Sequence, residues 1–112
     1  MKVKVTKAPI YSFIFDENSK AWVDDFERNK FFLVHQQAYM NQKLKVNGHI
    51  FLNEVLDALG LPRTQNGQVV GWMADGNGDN YINFGLFNTS RKGVDGTIVL
   101  DFNVDGYILD KI

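Results

Sequence analysis

Asp75, Asn77 and Asp79 alternate in the stretch DGNGDN, residues 75–80, at the spacing by which the first half of a calcium-binding loop supplies its oxygens. With Asp75 as position 1, Asn77 and Asp79 fill positions 3 and 5, and Ile82 supplies the apolar residue at position 8. Asn80 replaces the glycine of position 6, a tolerable exchange because asparagine visits the left-handed conformation. Position 12, where a bidentate glutamate closes the coordination shell, is Leu86. A second echo, Asp101, Asn103, Asp105, Gly106 and Ile108, ends on Ile112 at the same closing position. On an extended strand its alternate Cα atoms are spaced about 6.7 Å apart. Calcium needs oxygens within about 2.6 Å of one point. Both stretches therefore read first as backbone structure. Residues 75–79 become the turn of a hairpin, with Gly76 and Gly78 supplying positive φ.

Other chemistry is sparse. The chain has no cysteine, which removes thiolate catalysis, disulfides and cysteine-ligated metals. His35 and His49 have no serine nucleophile at a motif spacing. The GNG of residues 76–78 lies between expected strands instead of opening a helix, so it is no phosphate-binding loop. Carboxylates can run acid–base chemistry, and Asp101 is expected opposite Asn83, with Tyr81 opposite Asn103, on the outer face of a sheet. Solvated sheet faces have this composition routinely, so the expectation is a non-enzymatic protein without a cofactor.

The elements that must position these residues follow from periodicity. A chain of 112 residues that is 45% hydrophobic and 13% aromatic holds one domain with one core. Its net charge of −1 provides no field for nucleic acid or an anionic membrane. No apolar run reaches the roughly 18 residues of a membrane span, and the charged N-terminus is unlike a signal peptide. A soluble protein of the cytoplasm is expected. Residues 9–23 read as a β-hairpin around DENSK. Asp24, with Glu27 three residues on, has capping-box spacing for a helix beginning near Asp25. Along it Phe26, Leu33, Met40 and Leu44 form the core stripe, widened by Phe32 and Tyr39, while Phe31 and Val34 project away from it. Asn47-Gly48 ends this helix, and a second, shorter one ends at Gly60-Leu61-Pro62. Alternation then predicts strands through Val70 and Trp72, Ile82 to Leu86, and Ile98 to Val104. The resulting architecture is α+β: an N-terminal β-hairpin, a long helix, a short helix, then a three-stranded antiparallel β-meander packed on the helices. Its register places Trp72 opposite Ile82, and Phe84 opposite Leu100.

The stretches HIFLNEVLDALGLPRT, VVGWMADGNGDNYINFGL and IVLDFNVDG resemble an uncharacterised domain of bacteriophages and prophages of Gram-positive bacteria. The shared features are LNE opening a helix that ends Gly-Leu-Pro, then Gly-Trp, INFG and a closing Asp-Phe strand, over about residues 10–108. Members of that family are often longer, with apolar membrane-type segments ahead of the domain; none occurs in this chain, so no membrane contact is expected. The resemblance implies no activity, cofactor or functional residue. The expectation is a phage-type accessory domain that binds an unidentified protein partner and no nucleic acid. Its candidate contacts are Phe31, Val34, Tyr81, Asn83, Phe87, Asp101 and Asn103. The alternative is a calcium-binding structural or adhesion module using Asp75, Asn77 and Asp79.

Overall fold

The computed structural model describes residues 11–86 and 96–112. In chain order its elements are β1 (Ser12–Phe15), α1 (Phe26–Asn47), β2 (His49–Phe51), α2 (Leu52–Ala58), β3 (Val70–Met73), β4 (Ile98–Asp101) and β5 (Gly106–Tyr107). The class is α+β, with one long and one short helix, a three-stranded antiparallel sheet in the order β2-β3-β5, and a two-stranded ribbon β1-β4. Among the described residues no helix is long and apolar enough to cross a membrane.

α1 starts one residue later than the capping-box spacing predicts. Asp25, in extended conformation, accepts from the Arg28 N–H at 3.2 Å and is the N-cap. Buried Asn29 fixes the approach to this end, because its amide both donates to the Val23 carbonyl and accepts from the Val23 N–H. Leu33, Met40 and Leu44 face the core, with Phe26 and Phe32 packed beside them. Tyr39, expected there, is exposed. Gly48 closes the helix at φ 86°, its N–H reaching the Leu44 carbonyl at 2.8 Å. The chain passes straight into β2. α2 is opened by the Glu54 carboxylate, which accepts from the Phe51 N–H at 2.9 Å. It is ended by Gly60 at φ 73°, followed by Leu61, whose N–H returns to the Leu56 carbonyl at 2.9 Å.

Strand pairing departs from the expected hairpin and meander. β1 does not fold back on residues 20–23; it pairs with β4, Phe13 opposite Leu100 and Phe15 opposite Ile98. The missing arm is used otherwise. The Ser19 hydroxyl donates to the Leu59 carbonyl at 2.7 Å and the Lys20 N–H donates to the Gly60 carbonyl at 3.1 Å, so this segment satisfies carbonyls left over at the end of α2. β3 pairs with β2, Ile50 opposite Trp72, and not with residues 82–86. Ile82, Phe84 and Leu86 are buried alternately as their pattern implies, yet their segment forms no ladder with β3. Positive φ at Asn80 (64°), just before it, and at Gly85 (76°), within it, leaves too short an extended run for a regular strand. The segment does lie beside residues 101–103, whose Asp101 and Asn103 N–H groups donate to the Phe84 and Asn83 carbonyls, and α1 holds the rest of its backbone. Asn41 donates to the Ile82 carbonyl and accepts from the Ile82 N–H, and Gln37 accepts from the Phe84 N–H. The rings of Phe13, Trp72 and Phe84 converge on Phe102 at centroid distances of 5.4, 6.3 and 5.2 Å, joining the ribbon to the sheet.

Candidate functional site

Residues 75–79 form an exposed turn after β3, and the three expected calcium ligands separate within it. Asp75 and Asn77 line a groove of about 340 Å³ with Met73, Asp105 and Lys111. Asp79 is not part of that groove; its carboxylate accepts from the Asn103 amide at 3.0 Å. Asp105 is itself engaged, accepting from the Met73 N–H at 2.8 Å. Gly78 lies against its carboxylate, where a Cβ would collide with Oδ1. The turn's left-handed residue is Asn80, so Gly76 and Gly78 do not serve the positive φ expected of them. Among the described residues no three His, Asp or Glu side chains converge on a point that could hold a metal ion. Millimolar calcium is accordingly expected to leave the melting temperature unchanged. A rise equivalent to about 2.7 kcal/mol, the effect of a ligand at 100 times its Kd, would restore the loop as a metal site.

The second echo is dispersed as well. Asp101 accepts from the Ser12 hydroxyl at 2.7 Å across the ribbon, and its N–H reaches the Phe84 carbonyl. Asn83, expected opposite Asp101, turns its side chain to the Gly85 N–H at 2.7 Å, and its carbonyl accepts from the Asn103 N–H. Asn103 is a junction. Its Oδ1 accepts from the Trp72 indole (2.8 Å) and the Asn83 N–H (2.7 Å), while its Nδ2 donates to Asp79 (3.0 Å) and the Tyr81 carbonyl (2.9 Å). An amide that makes four hydrogen bonds inside its own chain holds the fold together and has nothing left to offer a ligand. The Tyr81 ring remains exposed beside it. Phe87 lies outside the described residues.

Other polar clusters are ordinary surface. Arg63 grips Asp57 bidentately at 2.9 and 2.6 Å beyond α2, and its hydrogen bonds hold the Asp57 carboxyl below the usual carboxylate range. Both side chains are exposed. Half-buried His49 places its ring against Phe51, 5.4 Å between centroids.

The outer face of α1 is different. At 100° per residue Phe31 lies about 180° from Met40 on the helix circumference, so the side chains around it face away from the core. Phe31 is 65% exposed, Val34 47%, Tyr39 58% and Val46 80%, with Ala38 exposed between them. Val34, Ala38, Phe31 and Gln42 fall within an arc of about 80°. The helix is therefore apolar on both sides. At its N-terminal half Phe31 meets His35 edge to face, centroids 4.3 Å apart. Asp25, Glu27, Arg28 and Phe32 complete an open depression of about 680 Å³ around that pair. The sequence singled out Phe31 and Val34. It also held the rest of this face, since Ala38, Gln42 and Lys45 continue the same period, but polar residues interrupt the pattern.

No curated protein and no solved structure matches the chain. Its sequence does match the family of unknown function DUF6353 from residue 1 to residue 112, and the protein belongs to that family.

Proposed function

We propose that the protein is a non-enzymatic accessory domain of phage or prophage type that works by binding a protein through the outer face of α1. The observation that carries this reading is the exposed apolar stripe of Phe31, Val34, Ala38, Tyr39 and Val46 on a helix whose other side already fills the core. A lone surface helix gains nothing from a second apolar face, whereas such a face is what a docking helix presents. The phage context is supported by the likeness of the GLP, Gly-Trp and INFG stretches to domains of bacteriophages.

Phe31 is the natural anchor. It is the more exposed of the stripe's two aromatic residues, and its edge contact with His35 holds it in place before a partner arrives. The tagged protein, incubated with lysate of a lysogenic Gram-positive host, is expected to retain a defined partner. Phe31→Asp is expected to weaken that retention about 30-fold, the effect of losing roughly 2 kcal/mol at a hot spot. Its melting temperature should stay that of the unmodified protein, because the ring contributes nothing to the core. Retention of nothing specific, or equal retention by the Phe31→Asp protein, argues against the reading.

A further inference from the structure

Resting on that reading, we propose that the face takes a second copy of the same chain, docked antiparallel about a two-fold axis at the level of residue 36. Glu27, Phe31, Val34, Ala38, Asn41 and Lys45 follow one another at intervals of four, three, four, three and four residues, the a/d spacing of a coiled-coil seam with one amide in it. The two ends of this seam carry opposite charge. Glu27 stands in the first turn of α1 and Lys45 in the last. Neither takes part in the two ion pairs found among the described residues, Lys43 with Glu54 and Arg63 with Asp57.

Orientation follows from those charges. In a parallel pair each Glu27 meets the partner's Glu27 and each Lys45 the partner's Lys45, which repels at both ends. In the antiparallel pair positions whose numbers sum to 72 face one another. Glu27 then meets the partner's Lys45 twice, and Val34 meets the partner's Ala38 twice. The helix dipoles also run in opposition in this arrangement. Ala38 is small, so the axes can approach to about 8 Å. Phe31 then meets the partner's Asn41, a half-buried amide already held against Ile82, and the ring that is now 65% exposed becomes covered. Glu27 and Lys45 are 18 residues apart, a seam about 27 Å long. One helix pair of that length is at the low end of interface size, so association belongs in the micromolar range.

Sedimentation velocity of the full chain from micromolar to millimolar concentration tests this. The unmodified protein is expected to pass from monomer to dimer, while Val34→Asp and Ala38→Glu remain monomeric with unchanged far-UV circular dichroism. Glu27→Lys and Lys45→Glu are each expected to weaken the dimer about 10-fold, since each brings like charges together at two symmetric contacts. The double substitution Glu27→Lys with Lys45→Glu should restore it. That reversal cannot come from altered folding of one variant. An unmodified protein that stays monomeric throughout, a dimer indifferent to Val34→Asp, or a double variant no better than the singles overturns the proposal. Lysate capture with Phe31→Asp is scored separately. A monomer that still loses a captured partner on that substitution leaves the interaction reading standing and rejects self-association.

Discussion

Gly71→Ala is expected to destabilise the protein by about 3 kcal/mol, at the upper end of what overpacking usually costs, although it adds a single methyl group and the φ of Gly71 is not positive. The reason is proximity. Gly71 is buried in β3, opposite Phe51 of β2 on one side and Gly106 of β5 on the other. A Cβ there would be driven into the Ile50 carbonyl oxygen and would lie 2.8 Å from the Phe51 Cα. Both are backbone atoms of the paired strand, so no side chain can rotate out of the way, and β2 itself has to move. The Gly71 carbonyl also accepts from the Asp105 N–H at 2.9 Å, so the displacement loads β5 as well. The consequence reaches α1, because only Gly48 separates that helix from β2. Urea unfolding followed by tryptophan fluorescence reads the loss of stability. A cost below about 1 kcal/mol would show that β2 can slide without penalty. The same substitution is expected to weaken binding at the outer face of α1, because the end of the helix that carries Lys45 rides on β2.

How far the sequence specified this fold depends on where each backbone hydrogen bond goes. Helix ends were legible to within a residue, because their signals are local: Asp25 satisfies an N–H of the first turn, and Gly48 and Gly60 adopt the left-handed conformation that stops a helix. Burial was legible too. Val70, Trp72, Ile82, Phe84, Ile98 and Leu100 all enter the core as their alternation implies. Pairing was not, because alternation says which side chains go inward and nothing about what the backbone bonds to. In this protein side-chain amides take the place of neighbouring strands. Asn29 clasps Val23, Asn41 clasps Ile82 and Asn53 clasps Thr64, each offering a donor and an acceptor to the N–H and C=O of one residue. An isolated asparagine leaves no periodic trace, so a reading built on periodicity assigns a regular strand to residues 82–86 where the structure has a clasp from α1 and two backbone bonds from Asp101 and Asn103. The same limit applies to the spaced polar residues. The carboxylates and amides of DGNGDN and DFNVDG are spaced like ligands, yet Asp79, Asp101, Asn103 and Asp105 are engaged by the chain's own amide, hydroxyl, indole and backbone groups. The apolar pair Phe31 and Val34 was visible because it sits on the wrong side of an otherwise consistent stripe.

Asn103→Ala should be the costliest substitution of a polar residue, at about 2–4 kcal/mol. It removes both the acceptor for the Trp72 indole N–H and the acceptor for the Asn83 N–H. Trp72 is fully buried, so its indole cannot exchange the lost partner for bulk water without opening the core. Asp79 and the Tyr81 carbonyl lose a donor as well, but beside the exposed turn water can replace it cheaply. Of the two donors left without an acceptor the indole is the fully buried one, and a double-mutant cycle isolates its share. Trp72→Phe deletes the indole N–H, so once that change is made Asn103→Ala should cost about 1 kcal/mol less than in the unmodified protein. Additive losses would show that the indole bond contributes nothing and that Asn103 acts through its other bonds, to Asn83, Asp79 and Tyr81. A second readout follows from geometry. Asn103 ties Asp79 and Tyr81 to the sheet, so without it residues 75–81 are anchored only at their flanks, at Met73 and at Ile82. Limited proteolysis is expected to gain a cleavage in that stretch under conditions where the rest of the chain stays folded. If the variant unfolds within about 0.5 kcal/mol of the unmodified protein and resists cleavage there, the turn is held by Met73, Gly78 and Asp105, and the four bonds of Asn103 are incidental.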